Sequence, residues 1–287
     1  MRIVRKDIIS HAGNPANEDI AAIHNNSAWV LDGATGLYNR NLVHKDSDAK
    51  WFVDEWNEYL LKNIDNQDKS LKEIIENGIS ITKNKYYNLV DENHIEPLAF
   101  PSSGIALIRW CDNKLEYLVL GDCTFIYKDN KGLVKSFKDY KLEQLDGEVI
   151  NHINKLINGE NISLLEARQK SMDMLIKNRL LRNTSEGYWI LGFNESAADN
   201  CITGTIDLFE EHEYEILLTT DGFYALIDKY KYTNETDIFR LLKDNTLDDL
   251  YRKIREIEYS DESGLKYPRL KKSDDASEVY LRVVYLS

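Results

Sequence analysis

The sequence predicts an α+β fold in which antiparallel sheets stack and helices cover them from outside. Three observations carry that reading. Strand-like runs open the chain, resume near position 105 and close it. Two helical stretches separate the first runs from the second. Each of those stretches shows one apolar face, which a two-sheet sandwich with outer helices explains.

In chain order, Ile3 to Ile9 reads as a strand. Ile20 to Leu31 reads as a second, interrupted by a turn at Asn25-Asn26 and ending at Asp32-Gly33. In Lys50 to Ile64, Phe52, Trp56, Tyr59 and Leu60 recur at helical spacing, and Leu71 to Leu89 repeats the pattern through Ile74, Ile75, Ile79 and Tyr86. These aromatic stripes read as core contacts. Ile105 to Trp110 and Leu115 to Leu120 flank a hairpin turn, and Thr124 to Tyr127 continues the meander past Gly121-Asp122. The stretch 148–181 reads as a mostly polar helical insert. Arg182 to Gly192 reads as a packed turn with two anchored aromatics rather than a substrate-facing loop. Glu215 to Thr219 is a short strand leading into a helix at Phe223; Asp248 to Ile257 is helical, and Val279 to Leu286 is the last strand.

With 287 residues the chain can bury a substantial core, and 43 % hydrophobic with 30 % charged residues is ordinary for a globular protein. Residues 1–287 read as a single domain. No run of about 18 apolar residues suggests a membrane span, and Met1 to Ser10 lacks the apolar centre of a signal peptide. Three widely spaced cysteines, Cys111, Cys123 and Cys201, suit a reducing compartment and read as small buried hydrophobes. A cytoplasmic protein is expected. A net charge of −13, from 49 acids against 36 bases, argues against a nucleic-acid partner and is compatible with cation binding.

The chemistry lies in where the aspartates sit. Asp32 follows the apolar run Ala28 to Leu31, Asp122 follows Tyr117 to Gly121, Asp221 follows Ile216 to Thr220, and Asp274-Asp275 precede the last strand. A carboxylate at the end of a buried strand needs a partner, and no Arg or Lys accompanies these positions with similar regularity. Oxygen ligands gathered from distant strand ends suit Mg²⁺ or Mn²⁺. Asp after a strand, and Asp-Gly in particular, is also ordinary turn chemistry, so each position alone stays open.

Taken in order, Asn17-Glu18-Asp19, Trp29 to Gly33, Leu120-Gly121-Asp122, Leu217 to Gly222 and Ser273 to Ser277 resemble the motifs of the metal-dependent protein serine/threonine phosphatases, the PPM or type 2C family. The resemblance spans nearly the whole chain. It implies a four-layer αββα sandwich with a binuclear Mn²⁺/Mg²⁺ centre at one end of the sheets. It implies that Asp32 bridges both ions, that the Gly33 carbonyl binds the first, and that Asp221 and Asp274 bind the second. Glu18 and Asp19 would orient metal-bound waters, Asp122 would serve water ligands and a weaker third ion, and Asp275, where the family usually has Asn, would be supporting. The implied reaction is in-line attack on phosphorus by hydroxide formed between the ions, with no cysteine nucleophile. The implied substrate is phosphoserine or phosphothreonine in a protein.

Two departures stand out. Ala34 follows Asp32-Gly33 where the family often has a His proposed as general acid, a loss worth about 10²–10⁴-fold for poor leaving groups. His11, His24 and His44 read as surface residues. Asn14 stands where relatives place a phosphate-gripping Arg; Arg2, Arg5 and Lys6 on the first strand are the replacements the sequence offers. These departures leave two alternatives open: a catalytically weak phosphatase-fold sensor, and a phosphatase for small metabolites.

Overall fold

The computed structural model describes residues 1–37, 41–90, 96–262 and 264–286. Among the described residues, ten strands and eight helices make up the frame. In chain order they are β1 (Arg2–His11), β2 (Asp19–His24), β3 (Ser27–Ala34), α1 (Asp48–Asn63), α2 (Leu71–Leu89), β4 (Ser102–Cys111), β5 (Lys114–Leu120), β6 (Thr124–Lys128) and β7 (Val134–Phe137). There follow α3 (Lys141–Glu160), α4 (Leu164–Lys170), α5 (Met172–Leu180), β8 (Ile202–Asp207), β9 (Glu213–Thr219), α6 (Asp221–Asp228), α7 (Ile238–Asp244), α8 (Leu247–Ser260) and β10 (Ala276–Val284).

The strands form two five-stranded antiparallel sheets, in the orders β1-β10-β9-β6-β7 and β2-β3-β4-β5-β8. Strand β3 shows why the two sheets stack. Ala28 and Val30 point to the layer between the sheets, where they meet Ala106, Ile108, Phe125, Ile216, Val279 and Leu281. Trp29 and Leu31 point the other way, onto Phe52, Trp56 and Ile75 of α1 and α2. The period of two along a strand therefore gives an unbroken apolar run, because both faces are covered. The outer face of the first sheet is covered by α6, α7 and α8 through Phe223, Phe239, Leu250 and Ile254. The result is the four-layer αββα sandwich.

Local signals fix the helix ends. Ser47 caps α1 by accepting from the Lys50 N–H, and Ser70/Glu73 and Thr246/Asp249 form reciprocal capping boxes on α2 and α8. The hairpin turns fall at Asn25 and Asp112, both with positive φ (45° and 50°). Stretch 148–181 resolves into three helices, and its first, α3, begins at Lys141 rather than at 148. They close on a small cluster of their own around Val149, Ile153, Ala167 and Leu175. Strands β7 and β8 and helix α7 were not anticipated: β7 and α7 are short, and β8 is a half-exposed edge strand whose apolar signal is weak. The 182–192 segment is a packed turn: Tyr188 is buried, its carbonyl accepts from the Asn183 N–H at 2.7 Å, and Leu191 bridges to Ser103. Of the three free cysteines only Cys123 is buried; Cys111 and Cys201 are half-buried. No helix among the described residues is long and apolar enough to cross a membrane.

Candidate metal centre

Sheet register brings the expected acids together. Asp19, the first residue of β2, pairs with Asp32 near the end of β3, and Asp32 pairs on its other side with Gly104 of β4. Gly104 is needed there: a Cβ would stand 2.8 Å from Oδ1 of Asp122 and 3.1 Å from Sγ of Cys123. Its bare backbone admits Asp122 from the crossing between β5 and β6. Asp221 follows β9 and begins α6, while Asp274 comes just before β10, whose first turn sits beside it because the Thr220 N–H donates to the Ser277 carbonyl. Gly222 touches the same place, since a Cβ on it would lie 1.9 Å from the Asp275 carbonyl oxygen.

Hydrogen bonds tie the two sheets across this edge. Thr220 Oγ1 donates to Oδ2 of Asp19 at 2.8 Å, and the Asp221 N–H makes a long contact of 3.4 Å with Oδ2 of Asp32. Asp275 does not join the cluster through its carboxylate. Its Oδ1 accepts from the N–H groups of Gly13 and Asn14, and its Oδ2 from the N–H of Glu18 at 2.8 Å. It pins the loop that carries Glu18 and Asp19. Glu18 in turn accepts from Thr35 and from Ser47 at the cap of α1, while its own carbonyl accepts from the Gly33 N–H. The supporting residues thus hold the two strand ends and the first helix in one piece.

The electrostatics are those of crowded acids. Burial, followed by Asp19, Asp221 and Asp122, raises the Asp32 carboxyl well above its ordinary value. Burial also raises Asp19, against the Thr220 hydrogen bond, with Asp274 and Asp275 adding to the rise. Asp122 is pushed up to about 7 by burial and Asp221. Asp274 is pushed to about 6 by burial, with Lys271 opposing and Asp221 adding.

Four more charged side chains enter the site that sequence reading did not single out. Lys271 forms an ion pair with Asp274 and also faces Asp221 and Asp32; burial alone would lower its pKa, and the acids more than reverse this. One Lys thus joins the acids, at a single position and without the regularity of the aspartates. Asp146, on α3, is raised to about 6 by burial and Asp221, with Arg179, Lys229 and Lys271 opposing. The helical insert thus lies against the acids, a juxtaposition no local pattern encodes. Sequence spacing could have flagged only Lys271, three residues before Asp274.

The other expected residues lie elsewhere. Arg2 pairs with Val284 and Arg5 with Arg282, whereas Ala276 pairs with His11. At about 3.4 Å per residue this puts Arg5 about 20 Å along the sheet from the acids. Its guanidinium donates to the Leu242 and Asn245 carbonyls, and Lys6 on the same stretch of β1 is exposed. These three side chains are corrected as phosphate ligands. His11 pairs with Asp248, His24 with Asp65 and His44 with Asp46, each partly exposed.

As they stand, no three acids, cysteines or imidazoles among the described residues are close enough to enclose one ion. The donor chemistry nonetheless fits a hard divalent cation. Five carboxylates from different strand ends converge, most of them are raised by one another, and Lys271 is the only cation ion-paired to them among the described residues.

Neither a protein-family model nor a curated protein sequence matches the chain. Solved structures do. The serine/threonine phosphatase PstP/Ppp of Mycobacterium tuberculosis superposes with a TM-score of 0.59 at 15 % identity, covering 99 % of this chain and 100 % of that one. The catalytic domain of PstP in complex with two manganese ions gives 0.54 at 14 %, covering 99 % of each. The PPM Ser-Thr phosphatase MsPP of Mycobacterium smegmatis, in complex with cacodylate, gives 0.51 at 12 %, covering 98 % of this chain and 99 % of that one. At these identities what is shared is architecture, from end to end: this chain has the fold of the PPM-type serine/threonine phosphatases.

Proposed function

We propose that this protein is a metal-dependent phosphomonoester hydrolase that removes phosphate from phosphoserine or phosphothreonine in proteins, using two Mn²⁺ or Mg²⁺ ions. The observation that carries the reading is the convergence of Asp19, Asp32, Asp122, Asp221 and Asp274 on one edge of the sandwich, Asp19 buried and the other four half-buried, in excess over the cations ion-paired to them. In this reading Asp32 would serve both ions, the Gly33 carbonyl one of them, Asp221 and Asp274 the other, and Asp122 a weaker third. When bound, the ions would make water nucleophilic near neutral pH and offset charge on the phosphoryl oxygens. The chain's own contribution is placement. Thr220 orients Asp19, Asp275 pins the Gly13–Glu18 loop, and Glu18 joins that loop to α1. Residues 1–287 would act as one catalytic domain, with α3 to α5 as its insert. Three free cysteines accord with a cytoplasmic setting.

Purified protein with Mn²⁺ should hydrolyse p-nitrophenyl phosphate and phosphopeptides, and EDTA or Asp221→Asn should reduce turnover to background. Activity that survives both treatments sinks the proposal. A second reading, a phosphatase-fold sensor with little turnover, draws on Ala34 and Asn14 and on Lys271 among the acids. Tight Mn²⁺ binding by calorimetry with no hydrolysis of any phosphopeptide would favour it. A parallel panel of small phosphorylated metabolites separates a metabolite phosphatase from a protein phosphatase.

A further inference from the structure

A phosphomonoester carries nearly two negative charges, and among so many aspartates a side-chain cation aimed at its oxygens would add grip and orientation to what the proposed ions supply. Asn14 supplies none, and Arg2 and Arg5 lie at the far end of the sheet. Besides Lys138, which faces Asp122 but is paired with Glu143 and Asp228, three cations face the acids: Arg179 at the end of α5, Lys229 after α6, and Lys271 before β10. Lys271 is engaged by Asp274. Lys229 is a single point charge at a helix end beside Asp228.

Arg179 differs from both. Its guanidinium bonds only to neutral oxygens, Ser102 Oγ and the Thr35 carbonyl, each at a long 3.4 Å. Among the described residues no carboxylate lies within ion-pair distance of it. Those two contacts place it at the active edge. Thr35 lies two residues beyond Gly33, and Ser102 pairs with Ala34 in the β3–β4 register. Asp146 feels both the Asp221 carboxylate and the Arg179 guanidinium. A second guanidinium, Arg182, is close by and is committed to the Phe100 and Pro97 carbonyls at 2.9 and 2.8 Å. Burial and Arg179 lower its pKa to about 10. Buried Tyr188 faces both arginines, and Asp146 and Asp122 as well. Two neighbouring guanidiniums, Arg182 firmly bonded to carbonyls and Arg179 loosely held, neither ion-paired among the described residues, form a locally positive wall in an otherwise acidic site. The fork of an Arg matches two phosphoryl oxygens at once, which an ammonium does not.

We infer that Arg179, carried in by the helical insert, is the side chain that grips the substrate's phosphoryl group, standing in for a cation at position 14. The inference rests on the phosphatase reading above and names the substrate-contacting cation of that site. Arg182 fixes the Pro97 and Phe100 carbonyls of the turn that leads into β4 and keeps the wall positive.

The test compares wild type, Arg179→Ala, Arg179→Lys and Lys271→Ala, each with Mn²⁺ and each checked by circular dichroism for an intact fold. Binding of inorganic phosphate and of Mn²⁺ is measured by calorimetry, and KM and kcat with p-nitrophenyl phosphate. In Arg179→Ala, phosphate affinity should fall and KM rise by about 10- to 100-fold, the loss of a charge-assisted bidentate contact. Mn²⁺ affinity should stay within about twofold, a split that a purely structural role would not give, and Arg179→Lys should recover part of the loss. Phosphate affinity and KM unchanged in Arg179→Ala overturn the inference. So does a loss confined to Lys271→Ala, or a wild type that binds no phosphate. A wild type that binds phosphate but turns nothing over sinks the hydrolase reading instead, and phosphate affinity still decides the role of Arg179.

Discussion

Glu278 is a buried acid that the site does not use. It faces the outer side of β10, fully buried, and neither carboxyl oxygen has a hydrogen-bond partner among the described residues. Burial raises its pKa well above 4.5, and Asp7 adds to the rise. The neutral acid is therefore the form the fold prefers. The folded chain holds a proton there that the unfolded chain has released, so stability falls as pH rises from about 4.5 through the folded pKa. Glu278→Met removes that dependence and should stabilise the protein at pH 8 by about 1–3 kcal/mol, the cost of an unsatisfied buried polar group. The gain should shrink toward pH 4. Urea unfolding at both pH values measures it, and an equal effect at both would count against this account. Asp275 shows the opposite use of a buried carboxylate: three backbone N–H donors satisfy it, and it holds a loop in place.

At the level of elements, the site depends on close approaches at strand ends. Gly222, at the start of α6, packs so closely on β10's lead-in that an added methyl group would overlap the Asp275 carbonyl oxygen. Gly222→Ala must move backbone on one side or the other, shifting Asp221 relative to Asp274. A cost of about 1–3 kcal/mol in stability is expected, with Mn²⁺ affinity falling at least about 10-fold, as for other changes that misplace ligand supports. Gly147 provides the contrast. It lies inside α3, and a methyl group added there would meet nothing within 4 Å. Gly147→Ala should therefore stabilise by about 0.5–1 kcal/mol and leave metal binding unchanged. Calorimetry and thermal unfolding of the two variants side by side distinguish crowding at the site from a general glycine effect.

At the scale of the whole molecule, the proposed function has metal and proton competing for one set of acids. Asp122 is raised to about 7 and Asp274 and Asp146 to about 6, and Asp19 and Asp32 are raised as well. Each raised acid makes the folded chain hold protons that the unfolded chain has lost. Stability of the EDTA-treated protein should therefore decline as pH rises from about 4 to about 7. Under the proposed function divalent ions would bind the ionised acids, so their effect should grow over the same window. Scanning calorimetry should show Mn²⁺ raising the unfolding temperature more at pH 8 than at pH 5. At 100 times its dissociation constant the stabilisation is about 2.7 kcal/mol. An unfolding temperature indifferent to Mn²⁺ at pH 8 would leave the acids without the role assigned to them.

Much of this was legible in residue order, and the reasons are local. Alternation and turn residues located β1 to β6, and helical spacing located α1 and α2. Asp32, Asp122, Asp221 and Asp274 each announced themselves by ending or preceding an apolar run. Such signals survive because each depends on neighbours a few residues away. What the sequence by itself determined was the layered α+β architecture and the identity of the strand-end acids. Only the tertiary structure decided which other charged side chains meet them. Lys271, Asp146 and Arg179 reach the site from a loop and from an insert whose docking is set by long-range packing, and Arg5 is carried away from it by strand register. A side chain's charge is written in the sequence, but the distance over which it acts is set by how the layers stack.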